Sequence, residues 1–331
     1  METTPRAKSQ IGRRPPAEYA RAVHLLLIAA LLIPLLGHAE IEPSSATERP
    51  KAAKDPVSQE LQRIDAADDA AQADADKWVE ENNRKGTNGA ALSDADLQRK
   101  ISERFEPVLK AYDSFVQKHP NEARGHVAYG NCLMARDNEL GAQAEWEKAL
   151  VLDPQNPALY NSLAGRYSES GPVNKSFTYF TKAIELSPKQ GAYYHNFADV
   201  LFVRRKQAAT FYGLTEQGVY ARSIMLYSNA LVLDPLNYNF ARDLAQTYYS
   251  VTPLPYDHAL QAWTNAINLA RQERDLHDSY VHLARVKMLA GQFNEARAQL
   301  ALVTNESCLQ AKTNLLKNIQ QRESEAGTAH K

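Results

Sequence analysis

Between Asn156 and Gln190 two runs of apolar residues at helical spacing flank a Gly-Pro pair, and that arrangement leaves few folds open. Asn156 is a natural N-cap, and Pro157 suits the first helical position, where its missing N–H is no loss. Tyr160, Leu163, Ala164 and Tyr167 fall at i, i+3, i+4 and i+7, one apolar face of an amphipathic helix. Gly171-Pro172 ends that helix and opens a second, in which Phe177, Phe180, Ala183, Ile184 and Leu186 recur at helical spacing up to Ser187-Pro188. The stretch therefore predicts two short antiparallel helices, neither able to bury its apolar face alone.

Related units recur on both sides. Ala123–Asn156 keeps Gly130, Leu133, Ala142, Trp146, Ala149 and Pro154, with His126 at an aromatic slot. A third unit carries Tyr194, Phe197, Ala198 and Leu201, then Tyr227, Ala230 and Asp234-Pro235. A fourth carries Leu244, Ala245, Tyr248, Ala259, Trp263 and Ala266, with Ala241 at its first aromatic slot and an enlarged turn over residues 251–255. A fifth carries Tyr280, Leu283, Ala284, Gly291, Phe293, Ala296 and Leu300. At Tyr160, Leu163, Ala164, Tyr167, Ser176, Phe180 and Pro188 the central unit resembles the tetratricopeptide pattern of aromatic-x2-Leu-Gly-x2-Tyr, small-x3-Phe and Pro, and five units exceed the roughly three that a stacked array needs. The resemblance, to a tetratricopeptide repeat protein of exported bacterial type, implies an all-α, right-handed superhelical solenoid of antiparallel helix pairs. It also implies a scaffold that holds a protein or an extended peptide.

The flanking segments complete the expected organisation. Arg13, Arg14 and Arg21 precede the apolar run 22–36, and Gly37-His38-Ala39 sets small residues where a signal peptidase cuts, so residues 1–39 read as a secretory signal. The run is short of the ~20 residues of a membrane span, yet an uncleaved anchor stays open as the alternative. A periplasmic location follows from the first reading, and membrane attachment through the N-terminal segment from the second. Residues 40–56, with Pro43, Pro50 and Pro56, read as a tether. In 57–120 an acidic helix of about 25 residues carries Val57, Leu61, Ile64, Ala71, Ala75 and Trp78, with Asp68 in the one missing apolar slot. It is either a docking or self-association helix, spanning 57–85, or a solvated helix leaning on the array. A degraded repeat follows it, in which Glu106-Pro107 either kinks one helix or starts a second, and Phe105 is expected to pack less well than Tyr167 or Phe180. The array occupies 121–306. Residues 307–331 supply a capping helix with Leu309, Leu315, Leu316 and Ile319 and a polar tail from Glu323.

Composition removes several functions. The 331 residues carry a formal charge of −1, and without the five basic and two acidic residues of 1–39 the balance is 33 against 37, or −4. That is no footprint for nucleic acid. Cys132 and Cys308 lie far apart along a linear stack and read as two separate thiols. No phosphate loop, HExxH or GxSxG is present, and His277 and His282 do not share a helix face, so neither catalytic nor metal nor cofactor residues are assigned. What remains is surface. In proteins of this family the first helix of each repeat lines a concave groove, and carried over here that face comprises Asn131, Asn161, Ser162, His195, Asn196, Asp199, Arg242, Asp243, Gln246, Tyr249, His282 and Arg285. Amide-rich, it suits the backbone of an extended peptide, although the same residues also read as solvated helix surface. The two-basic, two-asparagine carboxylate clamp of the family is not reproduced, since Val127 and Ala192 stand at its basic positions. An insertion of about thirteen residues over 206–218 interrupts the third repeat. Its Phe211 and Tyr212 are expected either to fill a gap between the third and fourth repeats or to form a lip over the groove near His195 and Arg242. The function expected is an exported, non-enzymatic interaction scaffold; the alternative is a self-associating envelope assembly or structural subunit.

Overall fold

A computed structural model describes residues 55–86 and 91–329; the expected signal and most of the tether lie outside the described residues. Among the described residues there are fourteen α-helices, one 3₁₀ turn and no strand. A leading pair, α1 (Pro56–Gly86) and α2 (Asp94–Lys118), precedes five repeat pairs. These are α3 (Ala123–Met134) with α4 (Glu139–Leu152), and α5 (Pro157–Ser170) with α6 (Val173–Leu186). The third is α7 (Gly191–Val203) with α9 (Glu216–Leu233), between which lies α8 (Arg205–Tyr212). The fourth is α10 (Tyr238–Thr247) with α11 (Tyr256–Leu269), and the fifth α12 (Glu273–Leu289) with α13 (Phe293–Ala301). The last helix, α14 (Glu306–Ala329), ends the array. Each helix packs on its pair partner and on the next pair, as expected of a solenoid of helix pairs. No helix of the described residues is long and apolar enough to cross a membrane.

The central unit forms as its residues dictate. Asn156 accepts from the Ala158 N–H at 3.1 Å and caps α5, with Pro157 in its first turn. Leu163, Ala164, Phe177 and Phe180 are fully buried. The Gly/Ala slot of each first helix is where the partner helix comes closest. At Gly130 a Cβ would stand 2.5 Å from Trp146 Cδ1, so only hydrogen fits. Ala164, Ala198, Ala245 and Ala284 hold the same slot in the other repeats at 0% exposure. His126, in its aromatic slot, is buried because both ring nitrogens are satisfied: Nδ1 meets Glu145 Oε2 at 2.6 Å and Nε2 meets the Pro120 carbonyl at 3.0 Å.

Expectations about the leading pair, the insertion and the tail are corrected or refined. Of the two alternatives at Glu106-Pro107, a second helix does not form: α2 runs unbroken through Pro107. The proline and Glu103, whose carbonyl loses its partner, both face solvent, while Phe105 and Val108 hold the two halves of the helix onto α1. Phe105, expected to pack loosely, is fully buried under the Arg136 guanidinium, 3.3 Å from the ring centroid. The insertion forms a helix of its own. Its Arg205-Lys-Gln-Ala-Ala run makes α8, which seats Ala208 in the core and ends on left-handed Gly213, φ 65°. Phe211 and Tyr212 neither bridge the third and fourth repeats nor overhang His195. They pack on Phe177 in the second helix of the preceding repeat, with centroids at 5.4 and 5.8 Å, and Arg222 covers Tyr212. The polar tail is also helical, since α14 continues to Ala329 and pairs Glu323 with Arg297.

The acidic α1 spends its apolar seam on its neighbour. Leu61, Ile64, Ala71 and Ala75 pack with Phe105, Val108, Tyr112 and Phe115 of α2. Asp68, the polar residue in that seam, accepts from the Tyr112 hydroxyl at 3.3 Å, and the same hydroxyl reaches Asp65 at 2.9 Å. Cys132 and Cys308 are buried free thiols in different clusters, and burial pushes the Cys132 thiol up to about 12.

The glycine contacts yield a paired prediction. Gly130→Ala forces the Trp146 ring aside and is expected to destabilise by about 1–3 kcal/mol. Gly165→Ala, inside α5 with nothing within 4 Å of the new methyl, is expected to stabilise by about 0.5–1 kcal/mol. Chemical denaturation of the two variants checks both signs; equal effects would show that the slot does not set the helix approach.

Candidate functional site

The predicted groove residues fall along successive first helices, and half of the twelve bond to each other across repeat boundaries. Asn196 of α7 donates to Asn161 of α5 at 3.1 Å. His195 of α7 reaches Asp243 of α10 through Nε2 at 2.9 Å, and its Nδ1 stands 3.4 Å from Asp199. The Tyr249 hydroxyl, just past α10, donates to the His282 carbonyl of α12 at 3.0 Å. Ser162 and Arg285 lie half-buried on the same ribbon, and Asn131 and Gln246 are exposed. The first helices are thus stapled by the side chains that the sequence offers as partner contacts.

The densest of these staples joins the third and fourth repeats. The His195 ring stacks on Phe240 at 4.6 Å and meets Tyr227 edge-on at 5.4 Å. Tyr227, buried on α9, donates to Asp199 Oδ1 at 2.5 Å, and Arg242 Nε donates to Asp243 Oδ1 at 2.9 Å. Burial alone would lower the His195 pKa, but its bond to Asp243 and the charges of both aspartates outweigh that and hold it above the usual imidazole range. Asp243 lies below the usual carboxylate range because the His195 and Arg242 bonds outweigh its own burial; Asp199, more dominated by burial, lies above it.

His282 has the opposite setting. It lies flat on Trp263, centroids 4.4 Å apart and planes within 6°, and burial reinforced by the Arg285 charge pushes its pKa down to about 4 against the pull of Asp278. Sequence reasoning named both histidines but not the aromatics of the second helices that set their states. Tyr227 and Trp263 were assigned to the core as pattern residues, and nothing in the pattern marks an aromatic whose tip or face reaches the first-helix surface.

A second part of the ribbon was missed altogether. Where α1 crosses the first repeat, a cleft of about 480 Å³ opens between α1, α2 and α3. Asp65, Asp68 and Asp69 of α1 line one wall, and Tyr112, Arg124 and Asn131 are among its other polar lining residues. Burial holds Asp65 above the usual carboxylate range despite the Tyr112 bond. Asn131 also accepts from Trp146 Nε1 at 3.0 Å. The acidic pattern of α1 was legible; its convergence with Asn131 was not, because it depends on how α1 folds back over the array.

No family model matches the chain. A stretch of 67 residues is 37% identical to cellulose synthase operon protein C of Xanthomonas axonopodis pv. citri (strain 306); it covers 20% of this chain and only 4% of that protein. The C-terminal part of a TPR repeat-containing protein from Cytophaga hutchinsonii superposes with a TM-score of 0.50 at 12% identity, covering 75% of this chain and 98% of that one. PilF of Pseudomonas aeruginosa gives 0.48 at 15% identity over 76% of this chain and 99% of its own. YrrB, described as a TPR protein with an unusual peptide-binding site, gives 0.48 at 13% over 66% and 99%. At these identities the likeness is one of fold, and the chain has the tetratricopeptide-repeat fold.

His282 gives a pH prediction. A histidine whose folded pKa is depressed binds its proton more readily when unfolded, so its contribution is complete above about pH 6.5 and is lost as pH falls toward about 4. Stability is expected to fall in that window by up to about 1.4 kcal/mol per pH unit from this group. Denaturation midpoints of the native protein and His282→Gln, compared from pH 6.5 to 4.5, check it; parallel curves would show that His282 titrates normally.

Proposed function

We propose that this chain is an exported binding scaffold that holds an extended polypeptide along its first helices and seats a basic side chain of that partner in the acidic cleft at its leading end. The observation that carries this reading is the cleft itself, where three carboxylates face a single guanidinium beside an amide that continues the ribbon. Its charge is the reverse of a carboxylate clamp: an ammonium or guanidinium entering it gains charge-assisted bonds to Asp65 and Asp69, and Asn131 is placed to meet backbone next to it. The self-association reading is weaker, because the seam of α1 on which it depends already packs on α2. Export rests on the sequence of residues 1–39, and the mature N-terminus is then Glu40, checked by mass spectrometry of the protein from its native host; recovery of the intact N-terminus in the membrane fraction would establish an anchor.

Selection of random peptides on the full chain tests the binding reading. Enriched peptides are expected to carry Lys or Arg, and Asp65→Asn with Asp69→Asn, which keeps the acceptor for Tyr112, is expected to weaken them about tenfold, with a matching loss of salt dependence. Enrichment without basic residues, or affinity indifferent to the double variant, would remove the cleft from the proposal.

A further inference from the structure

We propose that His195, Asp199 and Asp243 form a divalent transition-metal site, suited to zinc, that bridges the third and fourth repeats. One donor atom from each lies within 4.8 Å of the others. The inference does not depend on the polypeptide-binding reading.

The arrangement has the parts that such a site needs. His195 and Asp199 are four apart on α7 and so share a face, and α10 brings Asp243 to the same point from the next repeat. Donors bound to zinc at 2.0–2.1 Å in tetrahedral geometry stand about 3.3 Å apart. His195 Nε2 and Asp243 Oδ2 are 2.9 Å apart, and His195 Nδ1 and Asp199 Oδ2 are 3.4 Å apart. These two contacts use opposite nitrogens of one ring and an ion takes only one of them, so the ring must turn or a carboxylate swing to bring the three donors, now within 4.8 Å of one another, onto one ion. Each ligand is also held from behind: the imidazole by Phe240 and Tyr227, Asp199 by the Tyr227 hydroxyl, and Asp243 by Arg242. Outer partners of this kind orient metal-binding side chains. Imidazole nitrogen with two carboxylate oxygens favours zinc and neighbouring first-row ions over calcium or magnesium, which prefer all-oxygen shells.

Charge does not oppose the ion. The ring must be neutral to ligate, so the proton shared between His195 and the carboxylates leaves to solvent as the metal enters. The ion then takes the place of a cation that already bridges two anions, and Arg242 continues to donate to the Asp243 oxygen it holds now. Asp199 is 46% exposed, which gives the ion an entry path and leaves room for water at its remaining positions.

Calorimetric titration of the full chain with zinc chloride tests the proposal. One ion per chain is expected, with micromolar affinity, and zinc at about a hundred times its Kd is expected to raise the melting midpoint by ~5 °C. Asp199→Asn keeps an oxygen acceptor for Tyr227 on a half-exposed residue, so it is expected to fold normally and to lose at least about tenfold in affinity. His258→Gln, outside the cluster, is expected to bind as the native chain does. Cobalt offers an independent readout, a visible absorption band present in the native chain and absent in Asp199→Asn. Saturation only above about 1 mM zinc would overturn the site, as would undiminished affinity in a His195→Gln, Asp199→Asn double variant.

Discussion

Everything in this molecule depends on how closely two helices of one pair approach, and that distance is set by a small residue facing a large one. Trp146 lies over Gly130 with no space for a methyl, and in the later repeats alanines at 0% exposure hold the same slot. The slot fixes the pair, and the pair presents two apolar edges that only another pair can cover. The result is a stack in which aromatic residues do most of the burying: Phe177, Phe180 and Trp263 rank among the largest fully covered side chains. The two ends are closed differently. At the leading end α1 and α2 bury Phe105 and Phe115, and at the trailing end α14 lays Leu315 and Ile319 on the last repeat.

The scaffold was legible in the sequence because this constraint has a local signature. Small and aromatic residues at fixed offsets, with Asn156-Pro157 and Asn237 opening helices, depend on contacts inside one repeat or with its neighbour. The failures share a cause of the opposite kind. Pro107 is a helix breaker by local rules, but it sits on the solvent face of a helix anchored on both sides of it. The 206–218 insertion has no slot in the repeat pattern, so the pattern does not announce its helix, although its own residues are good helix formers and Phe177 offers its rings a surface. In both places tertiary contact decided what local propensity left open.

The candidate site was legible as a list and not as an arrangement. Family geometry put Asn161, Asn196, His195, Asp243, Tyr249 and His282 on one ribbon, and the structure brings them together there. It also shows them bonding to one another, which the list does not reveal, because register between repeats cannot be read from spacing within them. A polar surface in a solenoid carries two duties. The same amides and carboxylates that would meet a partner hold adjacent pairs in register, so a bound ligand competes with, or completes, bonds that the array uses for itself.

The two groove histidines, in the third and fifth repeats, show how far successive junctions diverge under one pattern. They occupy nearby positions on first helices, one beside Tyr227 and the other on Trp263, and both are largely covered. Two carboxylates face His195, and the protonated ring is favoured. A flat indole and the nearby Arg285 charge confront His282, and the neutral ring is favoured. Because each repeat touches only its neighbours, such local choices do not have to be reconciled along the chain. A tetratricopeptide stack can therefore keep one architecture while each junction along its polar face acquires its own chemistry, acidic where α1 crosses the first repeat, ionic between the third and fourth, and uncharged aromatic between the fourth and fifth.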